Sequence, residues 1–495
     1  MENRMTPSEK IYDIAIIGGG INGMAIARDA SGRGLQTFLC EKDDFGSATS
    51  AWSSKLIHGG LRYLEFYEFN LVRKALKERD ILVKLAPHMV REQRFILPYK
   101  PHLRPKWLIR TGLFLYDHLY PSKFLKKSKY VHLTSKFLKK NLSEGFEYSD
   151  AVVDDHRLVI ELAIEAQNHG AAISSYTSCE KVIHIDGLWH VHLKDAEGQH
   201  KLVFAKHIVN ATGPWADVFA KEKIDMKNAK SLKLVKGSHI VVPKLYTESN
   251  AYTFQEEDGR IVFTVPYLNH YTLVGTTEET HLGDPNSAII SKDELYDLTH
   301  VINQNFDEPL HRSDIVWHFS GVRPLLDETG KNNRTTSRDY HIERVVYGPN
   351  SLINIWGGKL TTHRILAEDV LKSLGFKDAW TSKIPFSSAV SAEHFAHEMV
   401  HKYNFIDPEI VERYVHAYGR RCLTLLKNVK HLDDLGQYFG HGLYEKEVLF
   451  LIKYEWAKTP ESILWFRTKC GVGMTPEQVH TFSESFNILV KDDQI

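Results

Sequence analysis

Residues 12–41 constrain the fold more than any other stretch. The run YDIAII at 12–17 is short and apolar, as a strand buried on both faces requires, and it leads straight into GGGING at 18–23. Small and apolar residues then recur at helical spacing over 24–33, Gly34 ends that helix, and LQTFLC at 35–40 reads as a second strand with Glu41 at its end. The unit is a βαβ element carrying G-x-G-x-x-G on Gly18, Gly20 and Gly23. The spacing has a mechanical reason. The first glycine permits a tight turn, the second lets backbone approach a pyrophosphate, and the third lets helix and strand pack closely. The helix N-terminus offers unpaired N–H groups and the positive end of its dipole to phosphates. Glu41 stands where an acid bonds a ribose hydroxyl. The predicted ligand is a dinucleotide.

Two later stretches repeat the strand-then-glycine pattern. HIVNATG at 207–213 carries Ala211 and Gly213, and SLINIWGG at 351–358 carries Gly358 and precedes a helical pattern over 361–374. One nucleotide domain can be assembled from all three junctions, with other segments inserted between them. A fingerprint at the N-terminal end combined with distant junctions favours FAD over NAD, because the longer cofactor draws contacts from separated parts of a chain. Residues 232–300 differ in character. Runs at 237–242, 260–265 and 271–275 are rich in β-branched and aromatic residues and are bounded by Pro, Gly, Asn and Asp, the marks of sheet strands in a substrate domain. From about Ser391 the pattern is helical. The predicted class is α/β: a Rossmann-like FAD-binding domain, discontinuous over 1–75, 145–230 and 340–388, a mixed-sheet substrate-binding and membrane-facing region over 76–144 and 231–339, and a helical C-terminal domain over 389–495.

Composition excludes more than it proposes. With 43% apolar residues in 495 the chain can build large cores, so disorder is not a contender. The formal net charge is zero, so any attraction to a polyanion must be local. Cys40, Cys179, Cys422 and Cys470 are scattered and lie in no metal-ligand spacing, so no metal is predicted, and a reducing, cytoplasmic compartment fits them better than a disulfide framework. The first eleven residues lack the apolar core of a secretory signal, and no run of 18 apolar residues predicts a transmembrane helix.

Further blocks are more specific: ATS at 48–50, SSKLIHGGLRYLE at 53–65, KGSHIVVP at 236–243, SGVRPL at 320–325 and GGKLTT at 357–362. With GGGING, and in this order, they resemble the aerobic, FAD-dependent glycerol-3-phosphate dehydrogenases over nearly the whole chain. The resemblance implies a flavin domain like that of the D-amino-acid oxidase group, a substrate domain on a mixed sheet, a helical C-terminal cap, a membrane quinone as electron acceptor and a homodimer. It also implies the cofactor contacts: Gly18, Gly20, Asn22, Gly23, Glu41, Thr49, Ser50, Ser54, Lys55, Leu56, Ala211, Gly213, Gly358, Lys359, Leu360 and Thr361. Met24, Arg28 and His363 depart from the family pattern, the last where a tyrosine belongs after the Thr-Thr pair.

Oxidising a secondary alcohol requires hydride transfer from C2 to the flavin, a base for the hydroxyl proton and cations that fix the phosphate. The motifs point to Arg323 and Lys359 for the phosphate, as catalytic and substrate-binding residues at strand ends, with Arg62, Tyr63 and Thr361 also on substrate. Arginine suits bidentate contact and lysine acts as a point charge. His58, beside two glycines, is the first choice of base; His239 competes for an active-site role. The helix after Gly358 can stabilise negative charge on the reduced cofactor.

Between residues 94 and 142 twelve Lys and Arg face one acid, Asp117, with Trp107, Leu113, Phe114 and Tyr116 interleaved. Such a mix suits an anionic membrane surface, which predicts a cytoplasmic protein held peripherally on the inner face of the cytoplasmic membrane. A solvated basic face is the plainer reading, and an FAD-dependent RNA-modifying protein is the alternative from another class; the favoured reading has no nucleic-acid partner. Oxygen in place of quinone remains open.

Overall fold

A computed structural model describes residues 10–327 and 339–492; most of the polar N-terminal stretch read above lies outside them. The chain divides into two compact units. One comprises residues 1–51, 156–233 and 324–495, the other 52–155 and 234–323.

In the first unit the strand Ile11–Ile17 lies between two parallel partners, Thr37–Cys40 and His200–Asn210, and Asn350–Trp356 joins the far side of His200–Asn210. The three glycine junctions predicted from sequence thus end neighbouring strands of one sheet. Every residue of Thr37–Cys40 and Asn350–Trp356 is buried, as parallel strands covered on both faces must be. The polar residues inside satisfy one another: Asn210 Nδ2 donates to Asn354 Oδ1 at 3.0 Å and to the Ala216 carbonyl at 2.9 Å. The helix Ile21–Gly32 follows the first turn, and its departures from the family pattern have a packing reason. Met24 is buried. Arg28 is buried too, its guanidinium 4.8 Å from the Trp380 ring and 4.6 Å from that of Phe386, with Glu165 at 3.7 Å.

The same unit holds the helical C-terminal region. Helices Ala392–Lys402, Pro408–Tyr418, Glu445–Glu455 and Pro476–Asp492 share a core that includes Met399, Val411, Tyr414, Leu451 and Phe482. Buried ion pairs tie it to the helix Asp155–Asn168 of the same unit. Glu455 takes a forked contact from Arg157 and a further bond from Arg421, and these cations hold its carboxyl down at about 2 against the opposing effect of burial.

The second unit is built on a mixed sheet. Leu232–Pro243, Tyr271–Gly275, Ile261–Tyr267 and Ala251–Gln255 run antiparallel in that order. Ala251–Gln255 then pairs parallel with Arg91–Pro98, which is antiparallel to Glu144–Val152, and Leu56–Ile57 closes the edge. The helix Lys292–Asn305, started by a capping box between Ser291 and Glu294, lays Leu298, Val301 and Ile302 on Ile240, Val242 and Val274.

Candidate active site

The dinucleotide-binding elements lie in the first unit. Gly18 has φ +110°, and a Cβ there would stand 2.5 Å from the Ala211 carbonyl oxygen; one on Gly23 would stand 1.9 Å from the oxygen of Gly18. Only glycine permits these approaches. Ser50 Oγ accepts the Ile21 N–H at 3.0 Å at the start of the helix, in the short turn Thr49–Ala51. Glu41 Oε2 accepts the Gly19 N–H at 2.7 Å and Oε1 the Asp43 N–H at 3.0 Å; burial raises this carboxyl above its ordinary range. At the third junction Gly357 and Gly358 both have positive φ, +75° and +107°, and lead through Leu360–Thr362 into the helix His363–Ser373. Asn22 Nδ2 lies 3.4 Å from the Gly357 carbonyl, so the first and third junctions adjoin. Asn22 Oδ1 and Thr362 Oγ1 are buried without a hydrogen-bond partner, each beside the first turn of a helix. Two helix N-termini, a glycine cradle, an acid at the second strand and polar atoms awaiting partners fit a flavin dinucleotide. Gly213 begins a turn after the second junction with φ +57°. Lys359 is half-buried and Thr361 buried. His363 donates Nδ1–H to the Leu360 carbonyl at 2.6 Å, and burial lowers its pKa to about 4, so a neutral imidazole braces the turn where the family pattern has tyrosine.

The remaining predicted residues lie in the second unit, and several converge there. His239 is fully buried, its Nε2 2.9 Å from Ser54 Oγ and its ring stacked on Phe319 at 4.9 Å. Burial, then the charges of Arg323 and Lys55, hold its pKa well below the usual imidazole value, so it is neutral. Its Nδ1 is buried with no partner. Arg323 Nη2 is 3.3 Å from Thr276 Oγ1, and a Cβ on Gly237 would come within 2.9 Å of the same nitrogen; Gly237 leaves the guanidinium its seat. Arg323 lies within the strand Trp317–Leu326, not at its end as the proline beside it suggested. In the same unit Glu294 collects Ser238 Oγ at 2.8 Å, Thr277 Oγ1 at 2.5 Å and Lys236 Nζ at 2.9 Å.

His58 is half-buried and directly follows the edge strand Leu56–Ile57. The Gly59 N–H after it is accepted by Tyr116 Oη, which donates to the buried carboxylate of Asp150, itself paired with Arg79 at 2.8 Å. Gly60, at φ +76°, turns the chain into Leu61–Phe66, which carries Arg62 and Tyr63. Lys55 is buried and pairs with Asp155 at 2.7 Å, so its ammonium serves the fold; Leu56 is buried. Sequence reasoning missed Tyr116, Asp150, Asp155, Thr276 and Gly237. Their partners lie far off in sequence, and only the glycine in KGSHIVVP carried a signal.

The basic segment needs two corrections. Leu113 and Tyr116 are each only 2% exposed, because they form the inner side of the helix Lys106–Leu119. Trp107, Leu108, Phe114, Phe124 and Tyr130 are the segment's exposed large apolar and aromatic residues. The charge excess is also smaller in space than in sequence, since Lys106 pairs with Glu144, Lys129 and Arg94 with Glu147, Arg104 with Glu65 and Lys100 with Glu256. No helix among the described residues is long and apolar enough to cross a membrane.

Residues 13–364 match the FAD dependent oxidoreductase family. The chain belongs to that family. Among the relatives of this flavoprotein oxidoreductase, a glycerol-3-phosphate dehydrogenase of Pseudomonas aeruginosa is 45% identical over 482 residues, covering 95% of this chain and 94% of the relative. The aerobic glycerol-3-phosphate dehydrogenase of Escherichia coli K12 is 41% identical over 484 residues, 95% of this chain and 96% of its own. A solved glycerol-3-phosphate dehydrogenase from Bacillus halodurans, complexed with FAD, superposes with a TM-score of 0.74 at 26% identity, covering 98% of this chain and 95% of that one.

Proposed function

We propose that this flavoprotein oxidises sn-glycerol 3-phosphate to dihydroxyacetone phosphate and passes the electrons to a membrane quinone. One observation carries the reading: a seated guanidinium, Arg323, close to a neutral buried imidazole, His239, in a chain whose full-length relatives bear the name of that substrate. Arg323 binds the phosphate through charge-assisted hydrogen bonds, and Lys359 adds a point charge. Arg62, Tyr63 and Thr361 complete the substrate contacts. His58 takes the C2 hydroxyl proton as the C2–H bond breaks and C2 becomes a carbonyl. FAD, when bound, supplies the two-electron acceptor that no side chain here provides. His239, kept neutral, serves the substrate as a hydrogen-bonding group and adds no second positive charge beside Arg323. The N-terminus of the His363–Ser373 helix favours the negative charge that reduction leaves on the cofactor.

Peripheral attachment to the inner face of the cytoplasmic membrane belongs to the same reading. Exposed Trp107, Leu108, Phe114 and Phe124 among lysines suit the boundary between headgroups and acyl chains, and a quinone stays dissolved in the bilayer. The deciding experiment supplies purified protein with glycerol 3-phosphate and either a soluble quinone analogue under argon or dissolved oxygen alone. Quinone-analogue reduction matched by dihydroxyacetone phosphate, with little peroxide under oxygen, supports the reading. Peroxide formed as fast as the quinone analogue is reduced would make the protein an oxidase.

A further inference from the structure

The family match ends at residue 364, yet the helical C-terminal region reaches back to the loop that follows the second strand. That loop, residues 41–47, is registered on the glycine turn at three points. Glu41 accepts the Gly19 N–H, the Gly46 N–H donates to the Gly19 carbonyl at 3.0 Å, and the Phe45 ring lies so close over Gly19 that a Cβ there would stand 2.9 Å from it. Between these points sits Asp44, and its carboxylate accepts from both terminal guanidinium nitrogens of Arg467, at 2.5 and 2.9 Å. Arg467 closes the wide helical turn Ser462–Arg467 in the C-terminal region. Its remaining N–H groups go to the Glu455 carbonyl, at 3.1 and 2.6 Å, and to the Ser462 carbonyl at 3.1 Å. The guanidinium is buried and all five of its donors are used. Two further contacts hold the same loop. Trp456 meets the Phe45 ring edge-on at 5.3 Å, and His156, whose Nε2–H donates to the Phe45 carbonyl, stacks on Phe466 at 5.3 Å.

We propose that the C-terminal region is part of the FAD-binding apparatus, with Arg467 a positioning residue that clamps Asp44 and so fixes Glu41 for the adenosine ribose. The proposal rests on the assignment of FAD to the Gly18 turn and adds a function for a region outside the family match. A forked, fully satisfied guanidinium in a buried setting fixes position as well as distance. A loop held on one side by Gly19 and on the other by Arg467 keeps the Glu41 carboxylate pre-organised, so binding FAD costs less ordering of the chain.

The test measures first-order FAD release from the full-length holoenzyme, by recovery of free-flavin fluorescence after dilution, together with the unfolding temperature. The variants are Arg467→Met, Arg467→Lys, Asp44→Asn, the Asp44→Asn/Arg467→Met pair and Arg413→Met. Arg413 makes a comparable forked pair with Glu447, at 2.6 and 2.7 Å, inside the C-terminal region and away from the loop. Arg467→Met speeds FAD release by roughly tenfold or more, the loss of about one charge-assisted hydrogen bond. Arg467→Lys falls between it and the unaltered protein. The double variant releases FAD no faster than Arg467→Met alone, since the two residues act as one unit. Arg413→Met lowers the unfolding temperature and leaves release within about twofold of the starting value. Equal release from Arg467→Met and the unaltered protein, or equal acceleration by Arg413→Met, overturns the clamp while leaving FAD in place. If Arg467→Met does not fold, the near-isosteric Asp44→Asn decides: unchanged release from it overturns the proposal. Unaltered protein that holds no flavin overturns the cofactor assignment and the clamp with it.

Discussion

Gly59 donates its backbone N–H to the phenolic oxygen of Tyr116 at 2.8 Å. Tyr116 in turn donates to Asp150, so a buried phenol fixes the glycine that follows His58. Burial, followed by the Asp150 charge, pushes the phenol pKa well above its ordinary value, which keeps the O–H available as a donor. Tyr116→Phe removes both bonds and leaves Asp150 with Arg79 at 2.8 Å and only a long 3.4 Å contact to the Gly59 N–H. A group left unsatisfied in a buried setting costs about 1–3 kcal/mol. The variant should fold with a lower unfolding temperature and turn over roughly tenfold more slowly, with FAD content unchanged. Stopped-flow reduction of the bound flavin checks this; an unaltered reduction rate would show that the Gly59 contact is not used to place His58.

Arg323→Ala should raise KM for glycerol 3-phosphate by more than about tenfold, since one charged hydrogen bond to a desolvated phosphate is worth about 1.5–3 kcal/mol. Glycerol, which lacks the phosphate, should be oxidised as slowly by the variant as by the parent. Equal losses on both substrates would remove Arg323 from the phosphate site.

His363 supplies a pH prediction. Its folded-state pKa, about 4, lies below the ordinary imidazole value of 6.5, so the unfolded chain takes up the proton first. The stability that the neutral ring contributes is present above about pH 6.5 and is lost as pH falls toward 4, with a ceiling of about 3 kcal/mol. His363→Asn keeps an N–H donor for the Leu360 carbonyl and cannot titrate. Unfolding temperatures measured between pH 7 and about 4 should fall less steeply for the variant. Parallel curves would assign the acid sensitivity to other groups.

Trp107 is 68% exposed and Phe114 58%, on one side of a helix whose other side is buried. Trp107→Ser with Phe114→Ser should weaken binding to liposomes containing anionic lipid by at least about tenfold, given roughly 25 cal/mol per Å² of apolar surface withdrawn from water. Flavin reduction by substrate in free solution should be unchanged. Liposome flotation separates the outcomes: full binding by the double variant would return this helix to an ordinary solvated face.

The first βαβ unit was legible because its information is local: YDIAII, GGGING and LQTFLC are adjacent, and each junction obeys a steric rule that only glycine meets. The strands at 237–242, 260–265 and 271–275 were legible for the same reason, through β-branched residues between turn formers. The bonds that position the site were not. Lys55 meets Asp155 from 100 residues away and Asp44 meets Arg467 from 423 away, separations at which no periodicity operates. The basic segment misled because a window of sequence counts charges along the chain, whereas the neighbouring strand Glu144–Val152 brings Glu144 and Glu147 beside those lysines and arginines. Arg28 looked misplaced on a tightly packed helix until Trp380, Phe386 and Glu165 supplied its surroundings.

The most direct measurement mixes the purified holoprotein with glycerol 3-phosphate in the absence of oxygen and records the flavin absorbance while assaying the product. The absorbance should bleach at a rate that saturates with substrate, with one dihydroxyacetone phosphate formed for each flavin reduced, and glycerol at the same concentration should bleach it far more slowly. A flavin that stays oxidised with glycerol 3-phosphate, or that bleaches equally with glycerol, would contradict the account.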